Sequence, residues 1–129
     1  MSRMTRTRHE EVGQHARDLL IRPLPSPSFI DELDIDMSAS CGVYIICTKS
    51  DEVLYVGSAC RPRVRGGLVR RVREHHRNGS RRHRWLRVWL LPMKTHADKR
   101  QVELVEGMVG RDLGCPENER LPRIIPAVS

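Results

Sequence analysis

Tyr44 and Tyr55 are the only tyrosines in the chain, and they stand eleven residues apart in two matched apolar runs. The runs are Gly42-Val43-Tyr44-Ile45-Ile46 and Leu54-Tyr55-Val56-Gly57-Ser58, separated by the polar stretch Thr48-Lys49-Ser50-Asp51-Glu52. That pattern predicts a β-hairpin. In register, it can bring two phenols near each other on one sheet. An arginine-rich helix follows, then a second helix carrying Glu103 and Glu106. Guanidinium, carboxylate and phenol suit hydrolysis of a phosphodiester, which needs an activated water, stabilised charge on the phosphoryl oxygens and help for the leaving oxygen. A carboxylate can hold one Mg²⁺, an ion that keeps several waters and takes few protein ligands. A phenol, with a pKa of about 10, can relay a proton only if that value is lowered or a second base assists.

The charge distribution points to a polyanionic partner. The 129 residues carry a net +7, with an isoelectric point near 9.9. From Arg61 to Arg87 there are eleven arginines, no lysine and one acid, Glu74, so this segment carries +10 and the rest of the chain −3. Such concentration favours nucleic acid first and an anionic membrane surface second. Arginine suits bidentate contacts to phosphate. Arg61, Arg63, Arg65, Arg70, Arg73, Arg77, Arg81 and Arg82 are the candidate backbone contacts.

Cys41, Cys47, Cys60 and Cys115 contain no CxxC pair and read as reduced thiols. No apolar run approaches the roughly 20 residues of a membrane span, and no apolar signal segment follows the basic N-terminus. A soluble cytoplasmic protein is expected.

These residues must be positioned by few elements. With 39% hydrophobic and 4% aromatic residues, one modest core of Leu, Val and Ile is expected. Thr7 to Ile21 is predicted helical, with Thr7 and Glu10 at capping-box spacing and Val12, Ala16, Leu19 and Leu20 as its stripe. Three prolines between Arg22 and Ser28 break it, and an acidic stretch, Phe29 to Met37, follows. Residues 1–40 thus read as an N-terminal helix and a Pro-rich, acidic arm, an appendage packed on a domain spanning 41–129. Within that domain the pattern predicts strands near 42–48 and 53–57, and a helix from Leu68 to Arg77. A strand from Trp85 to Leu91, bounded by Pro92, and a helix from Asp98 to Leu113 follow. In this third strand Leu86, Val88 and Leu90 share one face, and Trp85, Arg87 and Trp89 the other. The fold class is α/β, of order ββαβα, with about three mostly antiparallel strands flanked by helices.

Gly42-Val43-Tyr44, ten residues, then Tyr55-Val56-Gly57 resembles the signature of the GIY-YIG nuclease superfamily. The resemblance extends over roughly Cys41 to Asn118. Arg71-Val72-Arg73-Glu74-His75 resembles the Arg-x-x-x-His of many members, and Glu106 and Asn118 have the separation of the family's Glu and Asn. The longer arginine-rich loop from Ala59 to Gly67 and this helix look more like the restriction-enzyme branch than the excision-repair branch. Ser58 stands where many relatives have lysine.

The resemblance implies a metal-dependent DNA endonuclease. Its site would comprise Tyr44, Tyr55, Arg71, His75, Glu106 and Asn118. Tyr44 would be the base, Tyr55 would position water or phosphate, and His75 would assist proton transfer. Arg71 would meet the scissile phosphate, and Glu106 would hold one Mg²⁺ or Mn²⁺. Glu103 competes with Glu106, lying three residues away on one helix. Arg65, Arg70 and Arg73 compete with Arg71. Trp85 and Trp89 offer either sheet packing or base stacking. Target choice would fall to the loops, the N-terminal arm, a homodimer mate or a partner protein. The alternative is a non-catalytic nucleic-acid-binding module of the same fold.

Overall fold

The structure, a computed structural model, describes residues 2–34, 37–78 and 84–115. Among these residues four strands, β1 (Ser28–Phe29), β2 (Cys41–Cys47), β3 (Val53–Cys60) and β4 (Arg87–Met93), form one antiparallel sheet in the order β1-β4-β2-β3. Among the described residues three α-helices accompany them: α1 (Arg6–Gly13), α2 (Gly67–Asn78) and α3 (Lys99–Leu113). The architecture is a small α/β fold.

Strand β2 is central and buried along its whole length, so both its faces must be apolar. Cys41, Val43, Ile45 and Cys47 join a core with α1 and α3 residues Val12, Val102, Val105, Val109 and Leu113. Tyr44 and Ile46 join a second core on the other face, with Leu68, Val69 and Val72 of α2. The sheet is therefore sandwiched between two helical layers, and Tyr44 faces α2.

The sheet has one strand more than the three expected. Ser28 and Phe29 pair with Val88 and Arg87 at the far side of β4. Proline spacing signals an extended path, but two residues are too few for a period-2 pattern. The N-terminal segment is woven into the domain. Met4, Val12, Ala16 and Leu20 lie in the first core, and Leu20 bridges to Met93.

Helix α1 is shorter than expected and starts earlier. Thr5, not Thr7, caps it by accepting from the Arg8 N–H at 3.0 Å. After Gly13 the chain tightens, and Arg17–Leu19 forms a 3-10 turn. Helix α3 follows expectation: Asp98 and Gln101 form a reciprocal capping box, and Gly114 closes the end in a left-handed conformation.

Two corrections concern β4. It starts at Arg87, so Trp85 lies ahead of the strand and packs in the α2-side core with Val88 and Leu90, while Trp89 faces the other core. It also runs through Pro92 instead of stopping there. The Pro92 carbonyl accepts from Ile21 N–H at 2.9 Å. In an antiparallel strand a residue's N and O point to the same side, so the missing N–H faces the Leu20–Ile21 segment and removes no bond to β2.

Candidate active site

Register brings the tyrosines together. Tyr44 is the cross-strand partner of Gly57, and Ile46 that of Tyr55. The two phenols are thus diagonal neighbours on one face, with ring centroids 6.4 Å apart and planes 27° from parallel. A β-bulge near Cys47 shifts the register at the hairpin end, where Cys47 meets Val53. It gives Leu54 and Tyr55 to the same core.

Helix α2 lies across this face. Its apolar residues Leu68, Val69 and Val72 are buried, which turns Arg71 and His75, one helical turn apart, toward the phenols. The Tyr44 hydroxyl lies 2.9 Å from His75 Nδ1. The Arg71 charge lies within electrostatic reach of the phenol. When the imidazole carries its proton on Nε2, the Tyr44 hydroxyl donates to His75 Nδ1. The His75 ring meets Tyr55 and Trp85 edge-on, at 4.8 and 5.0 Å between centroids, while Trp85 lies against Tyr55 at 5.0 Å. These aromatic contacts fix the imidazole's tilt.

The electrostatics follow from burial. Tyr44 is 1% exposed, and desolvation pushes its phenol above the ordinary value, with Tyr55 and Glu106 adding and Arg71 opposing. Tyr55 is raised by the same cause and by Glu106. Burial, then the charge of Arg71, lowers the His75 imidazole. At neutral pH the phenols and the imidazole are uncharged, beside a fixed guanidinium.

Glu106 approaches from α3. Val102, Val105 and Val109 anchor the helix in the core, and the Glu106 carboxyl feels the Ser58 side chain of the edge strand β3, which offsets part of its upward shift. Desolvation raises the Glu106 carboxyl above its ordinary value. Glu103 instead pairs with Lys99 at 3.9 Å. Among the described residues no three His, Cys, Asp or Glu side chains cluster as a metal site. A half-buried carboxylate within electrostatic reach of both phenols suits Mg²⁺, whose remaining positions water and substrate oxygens fill.

The remaining expected residues divide. Arg71, not Arg65, meets the tyrosines; Arg65 is exposed in the loop before α2. Arg63 and Arg70 are exposed as well, as is Arg77. Arg61 grips Glu74 through both guanidinium nitrogens, at 3.1 and 2.6 Å. Arg73 donates to the Leu33 carbonyl at 3.2 Å, tying α2 to the N-terminal segment. Arg81, Arg82 and Asn118 lie outside the described residues. Trp85 packs inward at 4% exposure, so its ring supports His75. Ser58, Glu74 and Trp85 were noted in the sequence without a place in the site; the structure sets Trp85 against His75 and Tyr55 and pairs Glu74 with Arg61. Two-residue alternation put Trp85 on the opposite face, because it assumed a strand where the chain is still a loop.

Among the described residues, no helix is long and apolar enough to cross a membrane. The chain matches no protein-family model, no curated protein and no solved structure.

Proposed function

We propose that this protein is a metal-dependent endonuclease that hydrolyses DNA phosphodiester bonds, with a site of GIY-YIG type. The observation that carries the reading is the convergence on one buried phenol. Tyr44 has His75 Nδ1 at 2.9 Å, with the guanidinium of Arg71 and the carboxylate of Glu106 both within electrostatic reach. Buried polar groups are hydrogen-bonded as a rule, but a purely structural tyrosine needs one partner, not a base, a cation and an acid.

In this reading the neutral Tyr44 acts as a relay. A water at its oxygen gives up a proton as the phenolic proton passes to His75 Nδ1. Burial and Arg71 keep His75 unprotonated and able to accept. Arg71 stabilises negative charge on the phosphoryl oxygens. Tyr55, beside Tyr44 and under His75, positions the water or phosphate. Glu106 would hold Mg²⁺ or Mn²⁺. When bound, that ion supplies Lewis-acid stabilisation of the developing oxyanion. Exposed Arg63, Arg65, Arg70 and Arg77 would track the phosphate backbone.

The test is supercoiled plasmid incubated with Mg²⁺ or Mn²⁺ and wild type, Tyr44→Phe or Glu106→Ala. Nicking or linearisation by wild type alone, with binding retained in both variants, supports the reading. Binding without cutting by wild type on varied substrates leaves a nucleic-acid-binding module instead.

A further inference from the structure

Cys41 and Cys60 are nineteen residues apart in sequence, and nothing in their spacing marks them as a pair. Register makes them one. They are direct cross-strand partners at the open end of the β2–β3 hairpin, and their sulfurs lie 2.9 Å apart. The Arg61 N–H donates to the Ser40 carbonyl at 3.2 Å. That makes Ser40 and Arg61 a hydrogen-bonded pair. Cys41 and Cys60, the next pair inward, are then non-hydrogen-bonded, the type in which Cα atoms are closest, about 4.5 Å apart. This separation falls inside the window of about 4.4–6.8 Å that a disulfide spans without moving the backbone.

We propose that Cys41 and Cys60 are a modification site: under oxidising conditions they close a cross-strand disulfide between β2 and β3. The inference is independent of the nuclease reading. Cys41 is fully buried, whereas Cys60 is partly exposed on the edge strand, so Cys60 meets the oxidant and Cys41 resolves. With glutathione disulfide as oxidant, the Cys60 thiolate attacks one of its sulfurs. The old S–S bond breaks, and one glutathione leaves as a thiolate that takes up a proton. Cys41 then loses its proton to solvent, and its thiolate attacks the Cys60 sulfur and expels the second glutathione. Two protein thiols are oxidised and one glutathione disulfide is reduced to two thiols. Burial, with Cys60 beside it, pushes the Cys41 thiol up to about 12, which makes the second step the slow one.

Cys47 and Cys115 supply an internal comparison. Cys47 lies in the same core and Cys115 packs against it, but no sulfur contact like that of Cys41 and Cys60 joins them among the described hydrogen bonds.

The full-length protein is incubated with glutathione disulfide, quenched by alkylation in denaturant, and mapped by proteolysis and mass spectrometry. The expected result is loss of two of the four alkylatable thiols, with a peptide joined through Cys41 and Cys60. The melting temperature should rise by about 5–10 °C, and the rise should vanish on reduction and in Cys60→Ser. The wild-type peptide map decides even if that variant does not fold. Four alkylatable thiols after prolonged oxidation, persistent mixed disulfides at Cys60, or a crosslink through Cys47, Cys115 or a second molecule would each overturn the proposal.

Discussion

Gly57 and Tyr44 face each other across β2 and β3, and the Tyr44 ring occupies the space where a side chain at position 57 would begin. A β-carbon at Gly57 would collide with Cζ and Oη of Tyr44. The glycine that ends the Tyr55-Val56-Gly57 run is therefore a seat for the first tyrosine. It lets the phenol lie flat on the neighbouring strand with its hydroxyl at His75.

Gly57→Ala should accordingly displace Tyr44 or strain the sheet, at a cost of about 1–3 kcal/mol typical of overpacking. Urea unfolding measures the loss. A variant as stable as wild type that also leaves the Tyr44 and His75 NMR signals unshifted would contradict the seat.

Tyr44→Phe keeps the ring on Gly57 but removes the hydroxyl, leaving His75 Nδ1 without that partner. Stability should fall by about 1 kcal/mol, while plasmid cleavage should fall by about 10²–10⁴, the range of a lost general acid–base group. Cleavage retained within a few-fold would remove Tyr44 from the chemistry.

Glu106 presents the opposite balance. Its folded-state pKa is raised by burial. Its contribution to stability is thus present below the unfolded value of 4.5 and lost as pH rises through the folded value. At pH 7 the charged carboxylate is a burden on the fold. Glu106→Gln, which keeps the side chain's shape without its charge, should melt higher than wild type at neutral pH, and the gap should narrow toward pH 4. Cleavage should be lost in the same variant. A lower melting temperature at pH 7 would contradict the sign.

His9 and His75 are both depressed below the ordinary imidazole value of 6.5, by burial first. His9 also bonds the Leu90 carbonyl at 2.8 Å. Below pH 6.5 the unfolded chain binds protons that the folded chain refuses. The stability these groups contribute is full above 6.5 and declines as pH falls toward their folded values. Denaturation midpoints at pH 7.5 and 5.5 should show the lower stability at 5.5. The decline should be smaller in His75→Asn.

The exposed arginines should reveal themselves through salt. Each neutralised phosphate contributes about −0.9 to the slope of log affinity against log salt. Arg70→Ala and Arg63→Ala should each reduce the slope by about that amount. Arg61→Ala should reduce it less, because Glu74 already engages both ends of that guanidinium. Equal effects at all three positions in DNA-binding titrations would show that the Glu74 pair opens on binding.

The local elements were legible in the sequence because their causes are local. Alternating apolar residues around Tyr44 and Tyr55 make two strands, and Asp98 with Gln101 makes a helix start. The valines of α3 recur at helical spacing. These features also located the tyrosine pair, the basic helix and the acidic residues of α3. Only the tertiary structure decided which alternatives meet. Arg71 was separated from Arg65 by lying on α2 against the sheet while Arg65 stays in the loop before it, and Glu106 from Glu103 by which side of α3 is buried. That depends on the sheet order β1-β4-β2-β3, a long-range packing outcome that no short window contains. The same holds for Ser28–Phe29 as a fourth strand, for Trp85 turning inward beneath His75, and for Arg61 closing on Glu74. It holds most of all for Cys41 and Cys60, where strand register brings together two thiols that spacing leaves unrelated.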